Sequence, residues 1–201
     1  MTVTTEYIFP TQISGCKMDG FDDIKEPLIK WCYDYLNKDP NTKELSNRGG
    51  WQSSSKQVYH DEGFEPFKPL FSATMVKILK AFKLETNAQL MQLWVNINGP
   101  YSYNIVHSHP GSELSGCLWV QQSNEQGRFL FNNSIVGHRD AMLTLRTDKQ
   151  YLHDYYMEPE YQPKYEDGTM LIFPSGLPHR VEQNLTNHNR ISLAFNIGLT
   201  A

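Results

Sequence analysis

The chain has 201 residues, with 18 Lys and Arg against 22 Asp and Glu, a formal charge of −4 and a pI near 6.0. That length suits one domain with a proper core, and the mild acidity gives no electrostatic reason to expect nucleic acid or an anionic membrane as partner. Three scattered cysteines, Cys16, Cys32 and Cys117, form no CxxC pair, which argues against a disulfide framework or a structural zinc cluster and for a reducing cytoplasm.

The polar N-terminus, broken by Pro10, lacks the apolar stretch of a signal peptide, and no apolar run approaches the ~20 residues that span a bilayer. Phe21-Asp22-Asp23 starts a predicted helix in which Ile24, Leu28, Trp31, Cys32 and Tyr35 keep helical spacing to about Leu36. Asp39-Pro40-Asn41 stops it. Ser46–Ser55 reads as a loop with Gly49-Gly50 as its flexible point. A second helical pattern runs from Leu70 to Leu84 through Met75, Ile78, Leu79 and Phe82.

Beyond it the period changes to two. Gln89–Asn98, Tyr103–His109, Ser115–Gln122, Arg128–Phe131, Thr169–Pro174 and Arg190–Ile197 alternate between polar and apolar residues, with Gly, Pro and Asn breaks between them. Helices followed by short antiparallel strands predict an α+β fold, mainly β: a jelly-roll or cupin-like barrel with the N-terminal helices packed on one sheet. We expect one domain over residues 1–201, helical to about 86 and barrel from about 87.

In the last strand Ile191, Leu193, Phe195 and Ile197 form an apolar face that the helices would cover. The opposite face, Arg190, Ser192, Ala194 and Asn196, is polar, as are Gln92, Trp94 and Asn96 on their strand. Two such faces suit either a ligand cavity or solvent.

The residues that announce chemistry are His107-Ser108-His109 and His179. Histidines at i and i+2 of an extended segment project from one face, and imidazole binds divalent first-row metals. His179 follows the strand Gly168–Pro174 and its Ser-Gly-Leu-Pro turn, so it can close a three-point site. His60, His138, His153 and His188 sit in polar or tyrosine-rich surroundings and read as solvated or edge histidines.

Four segments carry a resemblance to a known family: SNRGGWQS (Ser46–Ser53), LWVNINGPYSYNIVHSHPGSELSGCLWV (Leu93–Val120), GTMLIFPSGLPHRVEQN (Gly168–Asn184) and RISLAFNI (Arg190–Ile197). With these the chain resembles the iron(II)/2-oxoglutarate-dependent oxygenases of bacteria and their viruses. The resemblance implies a double-stranded β-helix with helices on one sheet, located in the cytoplasm (the host's, if viral). It implies a hydroxylating dioxygenase using Fe(II), 2-oxoglutarate as cosubstrate and dioxygen, on a small-molecule or peptide substrate that the sequence does not identify. His107 would be the first metal ligand and His179 the last. Arg190 would pair with the distal carboxylate of 2-oxoglutarate and Ser192 would hydrogen-bond it, a role that suits a planar guanidinium.

One position departs from the pattern: residue 109, where the superfamily carries Asp or Glu, is histidine. Either His109 completes a neutral three-histidine site, or Glu113 swings back across the Pro110-Gly111 turn to supply the carboxylate. The same residues also resemble the two cupin motifs, with His107, His109, Glu113 and His179 as ligands. That alternative is a metal-binding protein without 2-oxoglutarate chemistry, and it makes no use of Arg190 or SNRGGWQS. The insertion His138–Tyr165, with Tyr151, Tyr155, Tyr156, Tyr161 and Tyr165, is long enough to be a lid or to pack on the outer surface. Trp51 reads as a buried anchor and Cys117 as a small core residue. Oligomeric state leaves no mark in the sequence.

Overall fold

The computed structural model describes residues 11–84, 87–133, 148–150 and 158–200. Strand β1 (Ser14–Lys17) leads into helix α1 (Phe21–Lys38), which buries Phe21, Leu28, Trp31, Cys32 and Tyr35 along one stripe. Asp22 and Asp23 lie in its first turn and Lys38 in its last, matching the helix dipole at both ends. Helix α2 (Lys68–Leu79) begins two residues before its apolar pattern, because Pro69 is tolerated at a helix start. It ends at Leu79, and a 3-10 turn (Lys80–Phe82) and a left-handed Lys83 carry the chain out of the helix before Leu84.

Two antiparallel sheets follow, facing each other without closing into a cylinder. The larger has the order β1-β9-β6-β11-β4-β3, built from β3 (Trp51–Gln52), β4 (Asn87–Asn98), β6 (Leu114–Gln121), β9 (Thr169–Pro174) and β11 (Arg190–Thr200) beside β1. The smaller has the order β2-β5-β10-β7-β8, from β2 (Asn47–Arg48), β5 (Tyr103–His107), β7 (Phe129–Asn132), β8 (Glu160–Tyr161) and β10 (His179–Val181). Four of these strands (β2, β3, β8 and β10) have only two or three residues, too few to show a period of two.

The split of β11 is realised on both faces. Ile191, Leu193, Phe195 and Ile197 join Leu93, Val95 and Ile97 of β4 in the core beneath the two helices. There the rings of Phe71 and Phe195 meet edge to face at 5.2 Å. Burying an aromatic or aliphatic side chain of this size contributes about 1.5–3 kcal/mol, so this layer fixes the helices on the larger sheet. A second cluster, with Trp119, Phe129, Phe131, Leu171 and Phe173, fills one end of the space between the sheets. Arg190, Ser192, Ala194 and Asn196 turn toward the rest of that space and line a cavity.

The segment Ser46–Ser55 is more ordered than a loop. β2 pairs with β5 in the smaller sheet and β3 with β4 in the larger, so Gly49-Gly50 is the crossing between sheets. Gly49 has φ 74°, a conformation open mainly to glycine. A Cβ on Gly50 would lie 2.8 Å from Asn98 Nδ2 and 2.9 Å from Asn47 Oδ1. Asn47 spans the crossing by donating from Nδ2 to the Gly50 carbonyl. No helix among the described residues is long and apolar enough to cross a membrane.

Candidate metal and cosubstrate site

His107 and His179 are direct cross-strand partners, the last residue of β5 facing the first of β10. Their ring centroids are 4.3 Å apart. His109 lies beyond the end of β5, so strand alternation alone does not aim it. The loop holding it is clipped to the turn after β9: the His109 N–H donates to the Ser175 carbonyl at 2.9 Å, and Ser175 N–H to the Glu113 carbonyl at 3.1 Å. The Trp94 indole then stacks on the His109 ring at 5.5 Å and 22°.

Hydrogen bonding selects the tautomer of two of these rings. His107 Nδ1 is 2.8 Å from the Ile105 carbonyl and His179 Nδ1 is 2.9 Å from the Leu177 carbonyl. A carbonyl can only accept, so each Nδ1 carries the proton and each Nε2 keeps a free lone pair. The nitrogen donors of all three histidines lie within 4.8 Å of one another. The Nε2 atoms of His109 and His179 are 3.2 Å apart, close to the ~3 Å separation of two imidazole nitrogens roughly 2.1 Å from one ion at right angles. The donor set therefore fits a divalent first-row metal.

Charge is suppressed on all three rings. Burial lowers the pKa of His107, and burial with repulsion from His107 brings His109 down to about 4 and His179 to about 3. They are neutral at physiological pH, as ligation requires. Glu113 is exposed instead, and its carboxylate accepts from the Leu199 N–H at 3.0 Å.

The histidines share a cavity of about 760 Å³ with Arg190 and Ser192. Arg190, the first residue of β11, is only 2 % exposed, pairs with no carboxylate among the described residues, and has an unpartnered Nε. A buried cation without a counter-ion costs several kcal/mol, and a bound carboxylate would offset that. Ser192 stands beside it on the same strand face, equally buried. Cys117, also in the wall, has its thiol pushed up to about 11 by burial and is no nucleophile.

The remaining sequence candidates among the described residues fall outside this cavity. His60 and His188 are exposed. His138, His153, Tyr151, Tyr155 and Tyr156 lie outside the described residues. Tyr165 packs inward, stacked on Trp119 at 4.1 Å with its hydroxyl accepting from the Phe129 N–H, while Tyr161 is exposed. Trp51 is a buried anchor, its Nε1 donating to the Asp39 carbonyl. The sequence pattern passed over Lys43, Ser54, Ser55 and Lys56, which line the outer part of the cavity. The run Ser53-Ser54-Ser55-Lys56 was the available signal, and it became meaningful only once Gly49-Gly50 was seen to lead it into the cavity wall.

Comparison with known proteins agrees with this architecture. No curated protein matches the chain by sequence. A prolyl-4-hydroxylase from Pseudomonas putida superposes with a TM-score of 0.62 at 13% identity, over 95% of this chain and 94% of that one. HygX of Streptomyces hygroscopicus, solved with nickel, 2-oxoglutarate and hygromycin B, gives 0.62 at 14% identity over 94% and 84%. A prolyl hydroxylase from Trichoplax adhaerens, in complex with a hypoxia inducible factor peptide fragment, gives 0.63 at 11% identity over 92% and 83%. At these identities the likeness establishes the double-stranded β-helix fold. The family described as "Putative 2OG-Fe(II) oxygenase" matches residues 92–196, a stretch that contains all three histidines, Arg190 and Ser192. That match covers more than half of the 201 residues, so the chain belongs to the 2OG-Fe(II) oxygenases, enzymes that use iron(II) and 2-oxoglutarate.

Proposed function

We propose that His107, His109 and His179 hold the ferrous ion through their unprotonated nitrogens, and that Arg190 and Ser192 hold the distal carboxylate of 2-oxoglutarate. The observation carrying this reading is the buried Arg190, without a carboxylate partner among the described residues, in the same cavity as three converging neutral imidazoles. When bound, the metal and cosubstrate supply the oxidising chemistry, in which dioxygen and 2-oxoglutarate become succinate and carbon dioxide as a substrate C–H bond is hydroxylated.

The chain's own part is placement. The Ile105 and Leu177 carbonyls keep two rings in the ligating tautomer, and Trp94 orients the third. Phe129 and Phe173 wall the histidines and keep that end of the cavity dry. Arg190 fixes the far end of the diacid, so that its keto-acid end points back toward the histidines. A cupin-like metal binder would have no use for a buried arginine at this position.

The whole chain acts here as one catalytic unit, on a small molecule or a peptide segment small enough for the cavity. Its three cysteines are free thiols, which suits a cytoplasmic setting. The test is anaerobic addition of Fe(II) and then 2-oxoglutarate, watched for a visible metal-to-ligand charge-transfer band. Admission of dioxygen should then yield succinate. Tight metal binding with no band and no succinate would sink the reading.

A further inference from the structure

We propose that the substrate carries an anionic group, a phosphate or a carboxylate, gripped at the cavity mouth by Lys43 and Lys56 with the hydroxyls of Ser54 and Ser55. This rests on the oxygenase reading, which commits the Arg190 end of the cavity to the cosubstrate. What remains is the outer part, where both lysines are exposed and both serines half-buried.

Among the described residues the cavity wall contains no Asp or Glu, although the chain has 22 of them and a net charge of −4. Acidic side chains elsewhere pair readily with lysine: Lys25 reaches Asp167 at 2.9 Å and Lys77 reaches Asp19 at 3.1 Å. Neither Lys43 nor Lys56 reaches a carboxylate among the described residues. The neighbouring Ser53 hydroxyl is occupied, accepting from the Val95 N–H and donating to the Ser54 carbonyl. Among the described residues the Ser54 and Ser55 hydroxyls have no such partner, so they can donate outward.

Two ammonium groups and two hydroxyls lining one cavity match an oxyanion in charge and in donor number. A cationic substrate would meet like charge at the mouth with nothing to offset it.

The test uses the full-length protein with nickel(II) in place of iron to prevent turnover, and saturating 2-oxoglutarate to fill the Arg190 end. Four probes of similar shape are titrated by calorimetry: phenyl phosphate, benzoate, benzyl alcohol and benzylamine. One of the two anions should bind roughly tenfold or more tightly than the alcohol and the amine, and the tighter anion identifies the group. Its affinity should fall as ionic strength rises, since both lysines are exposed. The double substitution Lys43→Ala/Lys56→Ala should abolish the preference, and Lys30→Ala on the helical face should not. Equal binding of all four probes, preference for the amine, no binding of either anion, or a preference surviving the double substitution each overturns the proposal. Failure of the underlying reading is distinct, because 2-oxoglutarate, titrated into the nickel-loaded protein before any probe, would then not bind.

Discussion

The imidazoles of His109 and His179 lie nearly parallel, at 7°, with their Nε2 atoms 3.2 Å apart. His179 must present a lone pair there, because its Nδ1 proton is committed to the Leu177 carbonyl. Two facing lone pairs at that distance repel unless something positive sits between them. A metal ion resolves the conflict, and so does a proton on His109 that donates to His179.

Ligand deletion separates these outcomes. His107→Ala and His179→Ala should abolish ferrous binding, and His109→Ala should weaken it by roughly a hundredfold, as expected for one of three nitrogen ligands. Glu113→Ala should bind iron like the parent, because its carboxylate is engaged with the Leu199 N–H. Metal titration under anaerobic conditions reads all four; an unaffected His109→Ala would remove that residue from the site.

Arg190 should trade stability for binding. Arg190→Met keeps most of the side-chain volume and removes a buried charge that has no counter-ion among the described residues. We expect an unchanged or higher Tm without cosubstrate, unchanged metal affinity, and 2-oxoglutarate binding weakened by about a hundredfold or more. The parent protein should gain Tm on adding 2-oxoglutarate with metal, and the variant should not. Equal losses of metal and cosubstrate affinity would contradict the division of labour.

Acid should destabilise the metal-free protein. Unfolded histidine titrates near pH 6.5, whereas folded His109 stays neutral to about 4 and His179 to about 3. Between those limits the unfolded chain binds more protons, so stability falls as pH drops below about 6.5 and is fully present above it. Asp61, Glu160 and Glu182 have carboxyl pKa values held down by their partners, so they act only at lower pH. Tm measured from pH 7.5 to 5 should therefore decline, and His179→Gln should flatten the decline. A parent protein with constant Tm over that range would refute the burial argument.

Asn184 should prove structural. It is fully buried, donates from Nδ2 to the Asn98 and His188 carbonyls at 2.9 and 2.8 Å, and accepts from Thr186 through Oδ1. Asn184→Ala would strand those groups and should cost about 2–4 kcal/mol in chemical denaturation, without altering metal stoichiometry. An effect below the error of the measurement would mean that water replaces the side chain.

Long periodic segments were legible. The stripe of α1 and the alternation in β4 and β11 follow from side-chain spacing, and the polar face of β11 does line a cavity, whereas the expected order of helices before strands is broken by β1 ahead of α1 and by β2 and β3 ahead of α2. Short strands were not. Asn47–Arg48 and Trp51–Gln52 have two residues each, so no period exists to be read, and their pairing depends on β5 and β4 being in place. The tyrosine-rich insertion lies largely outside the described residues.

Sequence by itself determined which residues could do chemistry here, because imidazole, guanidinium and hydroxyl groups recur at spacings that place them on common faces. It also determined the family, through segments spread over the barrel. Only the tertiary structure decided which nitrogens converge, that His109 is aimed by Trp94 and the Ser175 carbonyl instead of by strand alternation, and that Glu113 faces Leu199. Those outcomes hang on cross-strand register and on backbone hydrogen bonds between loops distant in sequence. Such contacts form only after the sheets have packed, so no local pattern of residues encodes them.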